Sequence, residues 1–264
     1  MKQYWKLSLA GIGAVLIVGL IYAQAPSPEP LPDRDKETAD LVDLAYDIYK
    51  EMRTLDDDMS CHLNYTLETV TRVQDDSLLT SKADVSLYAS AEQIFFESSD
   101  VLLYQDSTVG ITILPSRKEI QLFPSSSNKL GQDRADMLRQ GFYHQLFVQS
   151  QVVESKQVGA KGDHQLVLAP QKEFQEMYGI TQIAITLNPE ERRLHSVHVD
   201  YKQGSRYEAV TMTYNSADYF PTVGADNLYS KSSILEQVFD PNGRLRSEYQ
   251  DFAVVDLRSE ASSK

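Results

Sequence analysis

Met59-Ser-Cys-His-Leu-Asn-Tyr-Thr-Leu-Glu-Thr-Val-Thr-Arg-Val73 alternates along almost its whole length. Met59, Cys61, Leu63, Tyr65, Leu67, Thr69, Thr71 and Val73 fall on one side of an extended chain. Ser60, His62, Asn64, Thr66, Glu68 and Arg72 fall on the other, and only Val70 breaks the second set. A period of two over this length predicts a long strand with one face on a core and the other in water. That is the habit of an antiparallel sheet.

Upstream of this strand the period changes. Leu41, Leu44, Ile48, Met52 and Leu55 recur at steps of three and four, which places them on one face of a helix beginning near Glu37. Asp33 and Asp35 stand where their carboxylates can accept from the free amides of its first turn. Asp56-Asp57-Asp58 ends it. Downstream, short runs follow quickly at Ala83 to Ala89, Gln93 to Glu97, Val101 to Gln105, Val109 to Leu114 and Glu119 to Phe123. Links such as Asp106-Ser107 and Pro115-Ser-Arg-Lys118 are too short for crossover helices, so neighbouring strands should pair as a meander.

Ala135, Leu138, Phe142 and Leu146 predict a second helix over about 133–149. Strands then resume at Gln151 to Val158, His164 to Ala169, Thr181 to Leu187, Leu194 to Tyr201 and Tyr207 to Tyr214. A final pair, Tyr229 to Phe239 and Leu245 to Leu257, is expected to close on Asp240-Pro-Asn-Gly243, whose Asn-Gly step tolerates positive φ. The pattern predicts an α+β fold with an antiparallel sheet and two helices.

Lys2 and Lys6 precede an uncharged run from Leu7 to Ala23, and Ala23-Gln-Ala25 is a small-x-small cleavage pattern. Residues 1–25 are therefore expected to be an export signal or, because the apolar run is long, a retained membrane anchor. Cleavage after Ala23 is the alternative to cleavage after Ala25. The alternating prolines of Pro26 to Pro32 make residues 26–36 an extended linker. The folded domain is expected over 37–258, with a loose tail at 259–264.

The chain has 264 residues, of which 42% are hydrophobic and 24% charged, the balance of a folded globular protein. Its formal charge of -13 would repel a phosphate backbone, which excludes nucleic acid as an expected partner. Cys61 is the only cysteine, so no intrachain disulfide can form. His62 beside it points to the opposite face of the strand, and Cys61 reads as a small buried apolar residue.

No catalytic or metal signature emerges. His195 and His198 have a spacing used in helical metal sites, but on a strand positions three apart face opposite sides. Asp56-Asp57-Asp58 lacks the alternating spacing, glycine and distal glutamate of a calcium loop. There is no Gly-x-Ser-x-Gly elbow, phosphate-cradling loop or His-Glu-x-x-His pattern. Accordingly no enzyme activity, cofactor or metal ligand is expected.

What stands out is apolar. Phe95 and Phe96 are adjacent on one strand and must project to both faces, and Leu102, Leu103 and Tyr104 repeat the arrangement on the next. Either the two faces are covered from within the chain, or one keeps a hollow whose natural guest is an acyl chain or a lipid.

The stretch Ala83-Asp-Val-Ser-Leu-Tyr-Ala-Ser-Ala-Glu-Gln-Ile-Phe-Phe-Glu-Ser98, followed by Tyr104 to Ile111 and Pro115 to Leu122, resembles successive strands of the LolA-type periplasmic lipoprotein carriers and lipoprotein-sorting proteins. His164 to Pro170, Ile183 to Pro189 and Tyr207 to Tyr214 are similar to that family's late strands, so the resemblance spans roughly 37–221. It implies an antiparallel, strongly curved sheet, an incomplete β-barrel with two helices packed on its concave side, around a hydrophobic cavity that shelters lipoprotein acyl chains in the periplasm. Within it, Leu63, Tyr65, Phe96, Leu103, Leu138 and Phe142 are the candidate lining, chosen by face and bulk. The implied partners are an acylated protein or lipid and inner- or outer-membrane proteins. The family's lid-closing arginine has no matching position here. A second class stays open, a membrane-tethered envelope sensor of the RseB type on the same scaffold.

Overall fold

A computed structural model describes residues 34–51, 59–73, 77–90, 93–124, 146–147, 149–159, 162–221 and 234–258. The expected signal or anchor, and most of the linker and of the helix over 133–149, lie outside them. No helix among the described residues is long and apolar enough to cross a membrane.

The elements are α1 (Lys36–Glu51), β1 (Met59–Arg72), β2 (Leu78–Ser90), β3 (Ile94–Ser98), β4 (Leu102–Gln105), β5 (Val109–Leu114), β6 (Glu119–Pro124), β7 (Gln151–Val158), β8 (Asp163–Ala169), α2 (Lys172–Tyr178), β9 (Ile180–Asn188), β10 (Arg193–Tyr201), β11 (Tyr207–Pro221) and β12 (Ala253–Asp256). The twelve strands form one sheet in the order β12-β6-β5-β4-β3-β2-β1-β11-β10-β9-β8-β7. From β2 to β6 and from β7 to β11 successive strands pair antiparallel, and β12 pairs with β6 in parallel. β12 and β7 are the two ends, so the sheet is open.

The chain divides into two compact units. The first holds residues 34–51, 65–83 and 146–215, and the second holds 59–64, 84–124 and 216–258. In the first, α1 packs on β10 and buries Leu41, Val42, Ala45, Ile48 and Tyr49. Asp35 caps the helix, accepting from the Thr38 amide at 2.9 Å and the Thr38 hydroxyl at 2.8 Å. Across β8, β9 and β10 the register aligns Leu166, Ile185 and Val197, all buried, while Gln165, Thr186 and Ser196 occupy the opposite face. This is an antiparallel sheet with one buried apolar side and one half-buried polar side.

The short helix α2 was not expected. Seven residues are too few for an apolar repeat, but the flanking Pro170 and Gly179 mark it. Gly179 adopts φ +70°, and its amide donates to the Gln175 carbonyl at 2.8 Å, closing the helix in the left-handed conformation that glycine tolerates.

In the second unit the core is a cross-strand row. Tyr88, Phe95, Tyr104, Ile111 and Leu122 stand opposite one another in register on β2 to β6, and none is more than 6% exposed. The Phe95 ring lies 5.7 Å from Tyr88 and 5.4 Å from Tyr104. Ile234 and Val238 complete this core, with Leu235, Phe239, Leu245, Tyr249 and Phe252 packed against it. The cover of this face comes from the C-terminal segment.

That segment corrects the expected hairpin. The turn at Asp240 to Gly243 forms, with Gly243 at φ +76° and an isolated bridge from Phe239 to Leu245. Its flanks are not two long strands. Ile234–Gln237 is a 3-10 helix whose apolar residues enter the core, and Ala253–Asp256 pairs in parallel with β6. The wet face expected of β1 also needs correcting at its start. Ser60 is fully buried, its hydroxyl 3.1 Å from the Tyr88 hydroxyl on the core side of the sheet.

Asp106 ties the cover to the meander. Its carboxylate accepts from the Thr108 amide and hydroxyl, each at 2.7 Å, from the Val109 amide at 2.9 Å, and from the Ile234 backbone. Burial pushes its pKa up, but these hydrogen bonds outweigh it and hold the group below the usual carboxylate range. A depressed carboxylate stabilises the fold fully above the unfolded value of about 3.9 and loses that contribution as pH falls through the folded value. Asp106→Ala is therefore expected to cost about 1 kcal/mol at pH 7, with the gap in urea midpoint from the parent narrowing as pH falls below the unfolded value of about 3.9. An equal gap at both pH values would contradict this.

Candidate apolar ligand face

β3 is five residues long, and its two phenylalanines divide between faces. With Phe95 in the core, Phe96 must lie on the other side, and it does, half-buried. The register places Leu87 and Leu103 directly opposite Phe96, and continues the row through Thr112 to Gln121. All five are half-buried, in contrast to the fully buried row behind them.

β1 contributes to the same face. His62 hydrogen-bonds the Ser86 hydroxyl at 2.7 Å, which puts His62 on the Tyr88 side and Cys61 and Leu63 on the Leu87 side. Cys61 and Leu63 are both buried. Phe123 lies across Gly110 on this face, its ring occupying the space that a Cβ at position 110 would need, so glycine is what admits the ring.

Leu63, Phe96 and Leu103 thus share one face of the second unit, and Phe96 and Leu103 are direct cross-strand neighbours. Tyr65 belongs to the first unit, where it is buried with its ring 6.0 Å from that of Tyr214. Leu138 and Phe142 lie outside the described residues. Leu87 and Phe123 were missed by sequence reading. Leu87 alternates with Tyr88 just as Phe96 does with Phe95, and that signal was available.

The row Leu87-Phe96-Leu103 carries no ionisable group. It can exclude water and make dispersion contact, and it holds no acid, base or nucleophile. Polar groups gather where the row ends: Gln121 Nε2 donates to Glu119 at 2.5 Å, and Arg117 pairs with Glu119 at 3.1 Å.

The histidines form separate sites. His198 sits between the Thr211 hydroxyl at 2.7 Å and Asp200 at 3.0 Å. His195, at a register shift in β10, faces Asp163 at 3.4 Å. Among the described residues no group of three or more His, Cys, Asp or Glu side chains could hold a metal ion.

No family model and no curated protein matches the chain. Solved structures do. A putative outer membrane lipoprotein-sorting protein domain from Vibrio parahaemolyticus is similar at 9% identity and TM-score 0.31, over 70% of this chain and 95% of that one. LprF from Mycobacterium bovis is similar at 11% identity and TM-score 0.31, over 70% and 95%. A LolA superfamily protein from Nitrosomonas europaea is similar at 9% identity and TM-score 0.26, over 69% and 92%. At these identities and TM-scores they stand as likenesses, and they include the superfamily that the sequence resembles.

Proposed function

We propose that this chain is a periplasmic carrier that binds the acyl chains of a lipid or lipoprotein, without catalysis. The observation that carries the reading is the half-buried apolar row Leu87-Phe96-Leu103, set on the sheet face opposite a core that is already complete. A sheet face whose own core lies on the other side has apolar contact to give a guest. Each methylene removed from water contributes about 0.8 kcal/mol. In this reading Leu87, Phe96 and Leu103 line the guest within the second unit, with Leu63 on the same face. Residues 1–25 direct export, and a membrane protein delivers or receives the cargo.

The test is uptake. Protein denatured to strip its guests and refolded is expected to bind a fluorescent fatty acid or an acylated peptide saturably, one site per chain. Failure to bind either, with the fold recovered by circular dichroism, would remove the proposal.

A further inference from the structure

The half-buried line on the ligand face of the second unit is one residue wide. On β2, β4 and β5 the residues two positions to either side of it are buried: Val85 and Ala89 flank Leu87, Val101 and Gln105 flank Leu103, and Gly110 and Leu114 flank Thr112. The accessible strip therefore crosses the strands, from Leu87 through Phe96, Leu103 and Thr112 to Gln121. With neighbouring strands about 4.8 Å apart it is about 19 Å long. A thin, extended guest fits it.

The chemistry of the strip changes along its length. Its residues on β2, β3 and β4 are apolar, and those on β5 and β6 carry a hydroxyl and an amide. Gln121 Nε2 donates to the Glu119 carboxylate at 2.5 Å. A carboxylate can only accept, so the orientation of the amide is settled and the side-chain carbonyl is the group left over. Among the described residues neither that carbonyl nor the Thr112 hydroxyl has a hydrogen-bond partner. Thr112 and Gln121 are register partners, with Cβ atoms about 4.5–5.5 Å apart in such a pair, so one small head group reaches both. The neighbouring cation is committed elsewhere, because Arg117 pairs with Glu119 at 3.1 Å. Next in register beyond Gln121 stands Val255, which is exposed, so the strip opens to water at this end.

We propose that the strip holds an acyl chain in one direction, tail over Leu87 and Phe96 and head at Thr112 and Gln121, and that it selects an uncharged, amide-linked chain such as an N-acylated peptide over a free fatty acid. The inference rests on the carrier reading above and gives that site a polarity and a head group. The Thr112 hydroxyl donates to the acyl carbonyl, and the Gln121 carbonyl accepts from the amide N–H. An ester satisfies the first of these and not the second. A fatty acid carboxylate brings only acceptors, so it sets lone pairs against the Gln121 carbonyl and charge against Glu119. The rest of an acylated peptide leaves past Val255 into water.

Competition reads the head group. With the full-length protein stripped and refolded, displacement of a bound fluorescent fatty acid is compared for dodecanoate, methyl dodecanoate and N-dodecanoylglycinamide. The amide is expected to bind tightest, the ester next and dodecanoate weakest. Gln121→Leu is expected to weaken the amide about three- to tenfold, the loss of one hydrogen bond, and to leave the ester unchanged. Thr112→Val, which keeps the shape and removes the hydroxyl, is expected to weaken amide and ester by the same factor. Equal displacement by the three guests, tightest binding of dodecanoate, or a Gln121→Leu variant that weakens amide and ester alike would overturn the head-group assignment and leave the carrier reading standing. Failure of the fluorescent fatty acid itself to bind would remove both.

Discussion

Phe95→Ala is expected to destabilise the protein by about 3–5 kcal/mol, the cost of deleting a fully buried aromatic side chain from a packed core. Phe95 is 1% exposed, lies between Tyr88 and Tyr104, and belongs to the cluster that Ile234 and Val238 complete. Relative to a typical total of about 5–15 kcal/mol, this loss is large enough to loosen the second unit at physiological temperature. Urea or thermal unfolding with a near-ultraviolet aromatic signal checks it. A shift corresponding to less than about 1 kcal/mol would mean that the Tyr88 to Leu122 row is not the core.

Phe96→Asp is expected to act in the opposite way, leaving the fold and removing the binding. The residue is half-buried, and its neighbours Leu87 and Leu103 are half-buried too, so a carboxylate there can reach water at modest cost in stability. The same carboxylate in contact with an acyl chain would be desolvated by every methylene laid over it. Uptake of a fluorescent fatty acid is therefore expected to fall at least tenfold, equivalent to about 1.4 kcal/mol or more, with the unfolding midpoint close to the parent's. Unchanged uptake with the fold intact would take the ligand off this face.

Much of the architecture was legible because it is local. The β1 alternation and the short links between β2 and β6 forced a meander, and the helix before β1 is present as expected. Of its expected stripe only Leu41 and Ile48 are among the buried residues, with Val42, Ala45 and Tyr49 beside them, and Met52 and Leu55 lie outside the described residues. The C-terminal segment was misread for a physical reason. Its Asn242-Gly243 turn is a local signal and is present, but whether Ile234 and Val238 join a strand or fill a core depends on what the distant β2 to β6 rows leave uncovered. The parallel pairing of β12 with β6 is likewise set between segments more than a hundred residues apart, and no periodicity announces it. β11 runs on to Pro221 through Asn215, Ser216 and Asp218, polar residues that read as a loop until neighbouring strands supply hydrogen-bond partners.

The candidate face was legible in part. Adjacent Phe95 and Phe96 required two apolar faces, and the choice of Phe96 with Leu103 matched one continuous row. Which face held the core could not be read from β3 itself, because the two residues are chemically identical. The deciding information is the cover on Phe95, supplied by a segment well over a hundred residues away.

The most direct measurement is the contact itself. With Trp5 replaced by phenylalanine, a single tryptophan at Leu103 is expected to be quenched saturably by a brominated fatty acid, and a single tryptophan at Ile111, on the core face, to be unaffected. Equal quenching at both positions, or none at 103 while the fatty acid is bound, would contradict the assignment of the Leu87-Phe96-Leu103 row as the ligand face.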